Sequence, residues 1–480
     1  MSTALDRSHP AAASARRPTP LPVHPSRAGS DATVRGIARA LLGGSLLLVT
    51  WWWAAGGGIT DLTGIGNLGG PAAALTSLGR VTGLWASVLL LAQVVLMARV
   101  PILERAFGQD RLTQHHRVVG FSSFTLMLAH IVLITWGYAG ASLVAIPRQL
   151  WTLTFDYPGM LLAFAGTAAL VMVVVTSLRA ARKRLRYESW HLLHLYAYLG
   201  VGLALPHQLW TGQQFLTSTA STIFWWSAWA LAAGSILVWR VGLPLARSLR
   251  HRLRVTSVVP EGDGSVSVYL TGHHLDALRV EPGQFFLWRF LGRGWTRAHP
   301  YSLSAAPDGR SLRVTVKALG DGSAAVHGIR PGTRVLVEGP YGRLAPRART
   351  RRKVALIGAG VGITPLRALA EGLHYHPGEA VLLHRYNDEP LFAPEFEVLA
   401  RERGLRVLPL PGRRRADGSW LGRGVPAGTS DLGALRWWVP DIAERDVFLC
   451  GPERWAAMVT DTLSAAGVPA SAIHVESFGW

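Results

Sequence analysis

The stretch His116-Arg-Val-Val-Gly-Phe-Ser-Ser-Phe-Thr-Leu-Met-Leu-Ala-His130 has a histidine at each end of a largely apolar run. The two histidines are 14 positions apart, which corresponds to about 21 Å along an α-helix. A second apolar run repeats the arrangement, because His194 and His207 are 13 positions apart. Ionisable side chains inside apolar helices are costly and usually functional, so these four histidines are the first candidates for a functional site.

Apolar segments of about 20 residues, the length that crosses a hydrocarbon core, occupy much of the first half of the chain. Residues 1–34, rich in Ala, Ser, Pro and Arg, predict a disordered tail. For residues 35–245 we expect an all-α bundle of six transmembrane spans. The segments lie at residues 37–56, 82–100, 117–137, 159–178, 190–210 and 221–241.

Basic residues are concentrated between the second and third spans, between the fourth and fifth, and after the sixth. Loops rich in Lys and Arg face the cytoplasm, so both termini are expected there, in a multi-pass protein of the plasma membrane. This topology explains the excess of Lys and Arg that gives the net charge of +20. Nucleic acid is therefore not an expected partner, whereas the lipid bilayer is.

The histidines of the third and fifth spans predict two haems. Two imidazoles on opposite faces of a porphyrin iron give a six-coordinate haem that passes single electrons. We expect His116 and His194 to hold one b-type haem near the cytoplasmic side, and His130 and His207 to hold another near the outer side. Alternative ligands are His115 for His116 and His191 for His194, although the matched spacings favour the first assignment.

The spacing of 13 residues needs a correction, because it leaves His207 about 140° around an ideal helix from His194. Pro206 precedes His207 and removes a backbone hydrogen bond, so we expect it to kink the helix there. A cysteine-ligated iron–sulfur cluster is excluded, because it needs about four thiolates and Cys450 is the single cysteine.

Strand patterns replace the apolar segments from about residue 252. Alternating residues around a Gly-rich turn, followed by further short strands, predict an antiparallel β-barrel over residues 250–346 that binds FAD. Strands that alternate with helices over residues 350–480 predict an open parallel α/β sheet that binds NAD(P). The chain is thus expected to be multi-domain.

The candidate flavin site lies in the predicted barrel. A flavin needs an aromatic ring to stack on, a hydroxyl near its N5 atom and cations for its pyrophosphate, and Tyr301, Ser302 and Arg297 supply these groups within six residues. The turn after Lys317 offers backbone N–H donors to phosphate. The candidate cofactor-binding residues here are Arg297, His299, Pro300, Tyr301, Ser302, Lys317, Gly320, Gly322 and Ser323.

The candidate nicotinamide site lies on the α/β domain. A strand, a glycine-rich turn and a helix start lie over residues 354–365, where the backbone can approach a pyrophosphate. Cys450 ends a later strand at the same edge of the sheet, and Arg385 could bind a 2′-phosphate, which favours NADPH over NADH. The candidate residues are Gly358, Gly360, Gly362, Thr364, Pro365, Arg385, Cys450, Gly451, Pro452, Phe478 and Trp480.

These motifs resemble those of the ferric reductase and NADPH oxidase superfamily. Spans two to six resemble its haem-bearing transmembrane domain, and residues after about 252 resemble the ferredoxin–NADP reductase fold. The resemblance implies that the four histidines are axial ligands, that FAD rests on Tyr301 and Ser302, and that the nicotinamide lies near Cys450. Ser302 and Cys450 are then candidate catalytic residues, and so is Trp480, as an aromatic cover for the flavin.

Residues and resemblance together predict a transmembrane oxidoreductase. Electrons would pass from NAD(P)H through FAD and two haems to an acceptor on the outer face, either ferric complexes or dioxygen. The alternative is a membrane haem protein that delivers electrons to a partner protein or acts as a redox sensor. An ion-coupled transporter is disfavoured, because such proteins usually carry carboxylates within their spans and these spans have none.

Overall fold

The computed structural model describes residues 28–64, 70–185, 187–212, 214–292, 294–295, 297–413, 415, 418–426 and 428–477. Within them the chain divides into a helical unit, residues 28–245, and a mixed α/β unit, residues 246–477. The expected C-terminal cover, Phe478 and Trp480, lies outside the described residues, and so does most of the expected disordered tail.

The helical unit consists of long helices joined by short ones, and its first helix begins at Ala28, within the tail expected over residues 1–34. Two π-helical segments, Ala54–Gly58 and Ile236–Gly242, follow α1 and α10. The helices are α1 (Ala28–Trp53), α2 (Ile59–Thr63), α3 (Gly70–Met97), α4 (Pro101–Phe107), α5 (Gln109–Tyr138), α6 (Ile146–Phe155), α7 (Met160–Ser177), α8 (Arg179–Arg182), α9 (Tyr187–Trp210), α10 (Thr219–Ser235) and α11 (Leu243–His251).

The expectation of six spans is met only in part. Five helical stretches among the described residues are long and apolar enough to cross a membrane: Ser30–Thr63, Gly70–Met97, Arg111–Tyr138, Met160–Ser177 and Thr219–His251. The segment expected at residues 190–210 forms α9, a helix of 24 residues. Its length is sufficient, but it is not among the five. Its three histidines lower its hydropathy, although α5, which is among the five, also carries three.

Glycines let the long helices pack in close pairs. A Cβ atom at Gly79 of α3 would lie 2.8 Å from the side chain of Ile134 on α5. In the same way, a Cβ atom at Gly166 of α7 would lie 2.7 Å from the carbonyl oxygen of Gly200 on α9. Small residues at such contacts let helix backbones approach, which is how apolar helices associate in lipid. The two helices that carry the histidines are thus each held against a neighbour.

The α/β unit begins with six antiparallel strands in two three-stranded sheets, with the orders β1-β2-β5 and β4-β3-β6. Single bridges pair Arg254 with Arg334 and Leu303 with Val314. The strands expected to form a barrel thus form two sheets that share one apolar core. The strands are β1 (Arg254–Gly262), β2 (Ser265–Thr271), β3 (Phe285–Phe290), β4 (His299–Ser302), β5 (Ser311–Lys317) and β6 (Val335–Tyr341).

The second part of this unit has an open parallel sheet of five strands in the order β11-β10-β7-β8-β9, as its alternating pattern predicts. Helices cover it, and the central strands β7, β8 and β10 are buried along their whole length. The elements are β7 (Val354–Ala359), α13 (Ile363–Gly372), β8 (Ala380–Arg385), α14 (Ala393–Arg403), β9 (Arg406–Leu410), α15 (Asp431–Trp438), β10 (Asp446–Gly451), α16 (Glu453–Ala465) and β11 (Ile473–Ser477). The short helix α12 (Asp321–Val326) precedes them, between β5 and β6.

Buried charges join the antiparallel sheets to the parallel sheet. Arg313 of β5 donates two hydrogen bonds, of 2.8 and 3.1 Å, to the carboxylate of Glu395 on α14. Arg367 of α13 forms an ion pair with the same carboxylate and donates to the carbonyl oxygen of Ser304 at 3.2 Å. Burial alone would raise the pKa of Glu395, but the two guanidinium groups outweigh it and lower the pKa. The carboxylate therefore fixes one sheet against the other.

Replacing Glu395 by alanine should destabilise the α/β unit, because the Arg313 side chain, only 6% exposed, would lose its carboxylate. We expect the free energy of unfolding to fall by about 3 kcal/mol, measured by denaturant titration with tryptophan fluorescence. The stabilisation should be fully present above the ordinary glutamate pKa of about 4.3 and lost as the pH falls through the lower pKa of the folded state. Glu397→Ala, exposed on the same helix, is the control, and an equal loss there would contradict the assignment.

Candidate functional site

The structure brings together the imidazole rings of the first histidine pair, His116 of α5 and His194 of α9, in an edge-on arrangement. Their ring centroids are 6.0 Å apart and their planes differ by 69°. A metal–imidazole bond is about 2 Å long, so an ion between two rings separates the bonded nitrogens by about 4 Å. Each ring centroid lies a further ring radius away, and the observed separation therefore fits one iron between the rings.

The second histidine pair, His130 of α5 and His207 of α9, lies at the other end of the same helices. Nδ1 of His130 is 2.8 Å from the carbonyl oxygen of Gly79 and donates to it, which leaves Nε2 as the coordinating nitrogen. A Cβ atom at Gly83 would lie 2.5 Å from that Nδ1. The two imidazoles are close enough for their charges to interact.

His115, one of the two histidines that the sequence left as alternatives, has other surroundings. Nδ1 of His115 is 2.6 Å from the carbonyl oxygen of Arg111, and its ring contacts Phe107 at 5.7 Å. That contact turns it towards α4, whereas His116 faces α9. Pro206 lies inside a helix that continues to Trp210, so its role as a kink that aligns His207 stays a prediction.

The donor set matches haem better than a bare metal ion. No group of three or more His, Cys, Asp or Glu side chains that could hold a metal occurs in the described part of the chain. A porphyrin supplies four of the six ligands of its iron, so two facing imidazoles complete the coordination. Each histidine pair provides these two, and His116, His130, His194 and His207 are therefore the residues that would hold two haems.

The flavin string forms β4, where Tyr301 and Ser302 lie beside β3. Trp288 of β3 donates through Nε1 to the carbonyl oxygen of Tyr301 at 2.8 Å and fixes the backbone there. The rings of His299 and Tyr301 lie parallel, 5.7 Å apart with planes 6° apart. Burial raises the pKa of Tyr301, so its phenol stays protonated. The arrangement provides aromatic surface on a rigid strand, as stacking on a flavin requires.

Ser302 ends this strand with a buried hydroxyl whose Oγ has no hydrogen-bond partner among the described residues. Buried polar atoms are nearly always paired, so an orphaned hydroxyl at a candidate site calls for a ligand. A flavin ring nitrogen is such a partner, and the residues present fit the expected cofactor at this point.

The predicted phosphate-binding residues of this site take different positions. Gly322 lies in the first turn of α12 beside His299, because a Cβ atom there would lie 2.7 Å from the imidazole. Ser323 accepts from the backbone N–H of Gly320 at 3.0 Å and thus caps the helix. Lys317 forms an ion pair with Asp263, so its charge is already shared. Arg297 precedes β4, and Pro300 lies opposite Leu287 in the ladder of β3 and β4.

The glycine-rich turn follows β7, as the sequence predicts. Gly358 lies in β7, Gly360 has φ = +54°, and a Cβ atom at Gly362 would lie 2.5 Å from the carbonyl oxygen of Cys450. Thr364 donates to the carbonyl oxygen of Val361 at 2.9 Å and Pro365 lies in the first turn of α13. The turn is therefore a tight strand-to-helix connection of the kind that binds a pyrophosphate.

Cys450 lies at the carboxyl end of β10, between Gly358 of β7 and Glu476 of β11. Burial, and then the charge of Glu476, raise the pKa of the Cys450 thiol, so it stays protonated. The next residues, Gly451 and Pro452, end the strand and precede α16. A neutral thiol here supplies a small apolar wall rather than a nucleophile.

Glu476 is a residue that the sequence did not single out. Its carboxylate is 3.1 Å from the position of a Cβ atom at Gly342, which also approaches the ring of Phe285. Phe285 lies opposite Ser302 in the ladder of β3 and β4. These contacts thus link Phe285, the ladder partner of Ser302, to Glu476, the ladder partner of Cys450. Sequence offered no signal for this link, because it depends on the register of β10 with β11.

Two residues at the end of β8 complete the edge of the parallel sheet. His384 lies opposite Gly358 in the ladder, and burial lowers the pKa of His384 to about 4, so it is neutral near pH 7. Arg385 is buried and its Nη1 is 3.4 Å from the side-chain oxygen of Asn387. Arg385, the candidate residue for binding a 2′-phosphate, therefore lies at the carboxyl edge of the sheet, where nucleotides bind.

Comparisons with known proteins divide the chain in the same way as the fold. Residues 82–205, which include His116, His130 and His194 and end two residues before His207, match the family described as "Ferric reductase like transmembrane component". A ferredoxin reductase component of 3-ketosteroid-9-alpha-monooxygenase from Mycolicibacterium smegmatis is 34% identical over 242 residues, 47% of this chain and 65% of the relative. An NADPH oxidoreductase of Mycobacterium tuberculosis is 26% identical over 246 residues, 49% of this chain and 62% of the relative.

The chain spans less than two thirds of the length of these two curated relatives. Among solved structures, the flavohem-like FAD/NAD binding domain of nitric oxide dioxygenase from Vibrio cholerae is 22% identical. It covers 48% of this chain and 100% of its own, with a TM-score of 0.36.

Replacing Gly83 by alanine should displace the His130 imidazole, because the new methyl group would lie 2.5 Å from Nδ1. We expect a loss of one of two haems per chain, measured as haem absorbance against protein concentration. Gly43→Ala, where no atom lies within 4 Å of the added methyl group, is the control and should keep both haems. Full haem content in Gly83→Ala would contradict the second histidine pair.

Replacing Ser302 by alanine should slow flavin reduction without destabilising the chain. Removing a buried hydroxyl that has no partner in the protein is nearly neutral for folding, whereas loss of a hydrogen bond at a reacting centre costs about 10²-fold in rate. Anaerobic stopped-flow mixing with NADPH measures the rate, and thermal unfolding measures the stability. A stability loss with an unchanged rate would assign Ser302 to the core instead.

Proposed function

We propose, for a chain whose architecture fits the ferric reductase and NADPH oxidase superfamily, that it carries electrons across a membrane. It takes them from NAD(P)H in the cytoplasm through FAD and two b-type haems to a small acceptor on the outer face, a ferric complex or dioxygen. The observation that carries the proposal is the presence of two histidine pairs, at opposite ends of the same two helices α5 and α9.

The proposed reaction balances in electrons and protons. One NAD(P)H gives two electrons and one proton and becomes NAD(P)⁺, and two acceptor molecules each gain one electron. Bound FAD converts a two-electron donor into single electrons, and bound haem passes these one at a time. The proton is released on the side where NAD(P)H binds, so the relay transfers charge but no proton through the helices.

The residues of the chain orient the groups between which electrons move. Gly79 holds the Nδ1 proton of His130 on its carbonyl oxygen, and the partner of His130 across the helix pair is His207. Histidines on both α5 and α9 mean that neither helix can rotate without breaking a pair. Spacings of 14 and 13 residues set the two levels about 20 Å apart along the helices.

The α/β unit supplies the nicotinamide side of the proposal. The turn from Gly358 to Gly362 would hold the pyrophosphate, and Ser302 would hydrogen-bond the flavin. Cys450 and Glu476 lie side by side at the carboxyl ends of β10 and β11. Arg385 at the end of β8 favours NADPH through a 2′-phosphate contact.

An absorption spectrum of the purified chain, recorded as NADPH is added under anaerobic conditions, tests this proposal. We expect low-spin bands of two haems per chain that become reduced by NADPH, and about half of the haem to be lost in His130→Ala. Gln149→Ala provides a control on α6, a helix that carries no candidate ligand. A colourless protein would refute the proposal.

The terminal acceptor is identified by a second measurement on the reduced protein. Reoxidation by ferric citrate with formation of ferrous iron indicates a metal reductase, and reoxidation by oxygen with formation of superoxide indicates an oxidase. Haems that NADPH reduces but that neither compound reoxidises would replace the small acceptor by a partner protein.

A further inference from the structure

Ser177, the last residue of α7, lies between two aromatic side chains at one end of the first histidine pair. Its Oγ is 3.3 Å from Nδ1 of His194 and 3.2 Å from Nε1 of Trp190. We propose that Ser177 is a positioning residue, which holds the Nδ1 proton of His194 and so sets the electron affinity of the haem on this pair. The inference rests on the proposed function, because it assumes that His194 binds haem.

The hydrogen-bonding capacity of the Ser177 hydroxyl fits this role. A hydroxyl oxygen has two acceptor lone pairs, and an indole N–H can only donate. Trp190 therefore occupies one lone pair and leaves the other facing Nδ1 of His194. A histidine that coordinates a metal through Nε2 carries its proton on Nδ1 and donates it to a neighbouring group. Ser177 is the acceptor that this tautomer of His194 requires.

Trp190 restrains both members of this contact. Its ring lies 5.1 Å from the ring of His194, with planes 32° apart, while its N–H binds Ser177. On the other side, the guanidinium of Arg182 lies 4.5 Å from the centroid of the indole, where a cation is attracted to the ring. Arg182 ends α8, the short helix between α7 and α9. The Trp190 side chain therefore links the basic connection between these helices to His194.

The two histidine pairs differ in this outer contact. His130 donates to the carbonyl oxygen of Gly79 in the backbone of α3, which no side-chain substitution removes. His194 depends on a side-chain hydroxyl instead. A hydrogen bond from Nδ1 raises the basicity of the coordinating nitrogen and thereby favours ferric over ferrous iron. Loss of the Ser177 hydroxyl should therefore raise the midpoint potential of one haem only.

The test is a spectroelectrochemical titration of Ser177→Ala in the full chain. At a fixed applied potential we expect the ratio of reduced to oxidised haem to rise about tenfold for one haem, a shift of about 59 mV for a one-electron couple, with the other unchanged. Ser177→Thr keeps the hydroxyl and should restore the native value. Thr176→Val is the matched control, because the Thr176 hydroxyl donates to the carbonyl oxygen of Met172 and lies on the same turn.

Trp190→Phe keeps an aromatic ring beside His194 but removes the N–H donor, so a smaller shift in the same direction is expected. No shift in Ser177→Ala, an equal shift of both haems, or no rescue by threonine would overturn the inference while leaving two haems in place. Failure of the proposed function has a different signature, because the native chain would then bind no haem. If Ser177→Ala does not fold, the titrations of Ser177→Thr and Trp190→Phe decide the matter, and an unshifted Trp190→Phe counts against the inference.

Discussion

The cost of placing an imidazole in an apolar helix is the constraint on which the helical unit depends. A polar ring in hydrocarbon needs a partner for each nitrogen, because no water is present to supply one. His130 satisfies one nitrogen with the carbonyl oxygen of Gly79, and His194 has a hydroxyl beside it at Ser177. Nδ1 of His116 and Nδ1 of His207 are buried with no hydrogen-bond partner among the described residues, and the ring of His116 lies 6.0 Å from the ring of His194. The pairing of α5 with α9 follows from this need.

Close helix contacts make that pairing possible, and glycine provides them at the levels of the ligands. Gly79 and Gly83 of α3 lie against α5 beside His130, and Gly159 lies within about van der Waals distance of the backbone of His207. An added methyl group at any of these positions would meet the ligand or its neighbour at 3.0 Å or less. The same residues that let the helices associate in lipid thus leave the space in which the imidazoles turn towards each other.

The sequence predicted the fold of the reductase unit well, because periodicity and motif spacing are local properties of the chain, while the four histidine ligands stay a prediction. The glycine turn after β7 and the string from His299 to Ser302 are read from a few neighbouring residues. Three features were predicted only in part or not at all: the barrel, which forms two antiparallel sheets, the six spans, of which five helical stretches are long and apolar enough, and the role of Glu476. The first and third depend on which strands pair and in which register, and the second on treating three histidines as part of an apolar run. The contacts of Ser177 likewise could not be predicted, because they depend on how α7 packs beside α9.

The α/β unit meets a different requirement, since a hydride donor and a flavin must approach while their binding domains stay separate. The guanidinium groups of Arg313 and Arg367 both bind the carboxylate of Glu395. Both also donate to the carbonyl oxygen of Ser304, two residues after Ser302. Such a buried ion network contributes little net stability to the folded state. It nevertheless disfavours other arrangements of the sheets, because any displacement leaves a guanidinium without its carboxylate. The network therefore acts on geometry: it holds β5 against α14, while Glu476, the ladder partner of Cys450, and Phe285, the ladder partner of Ser302, both approach Gly342.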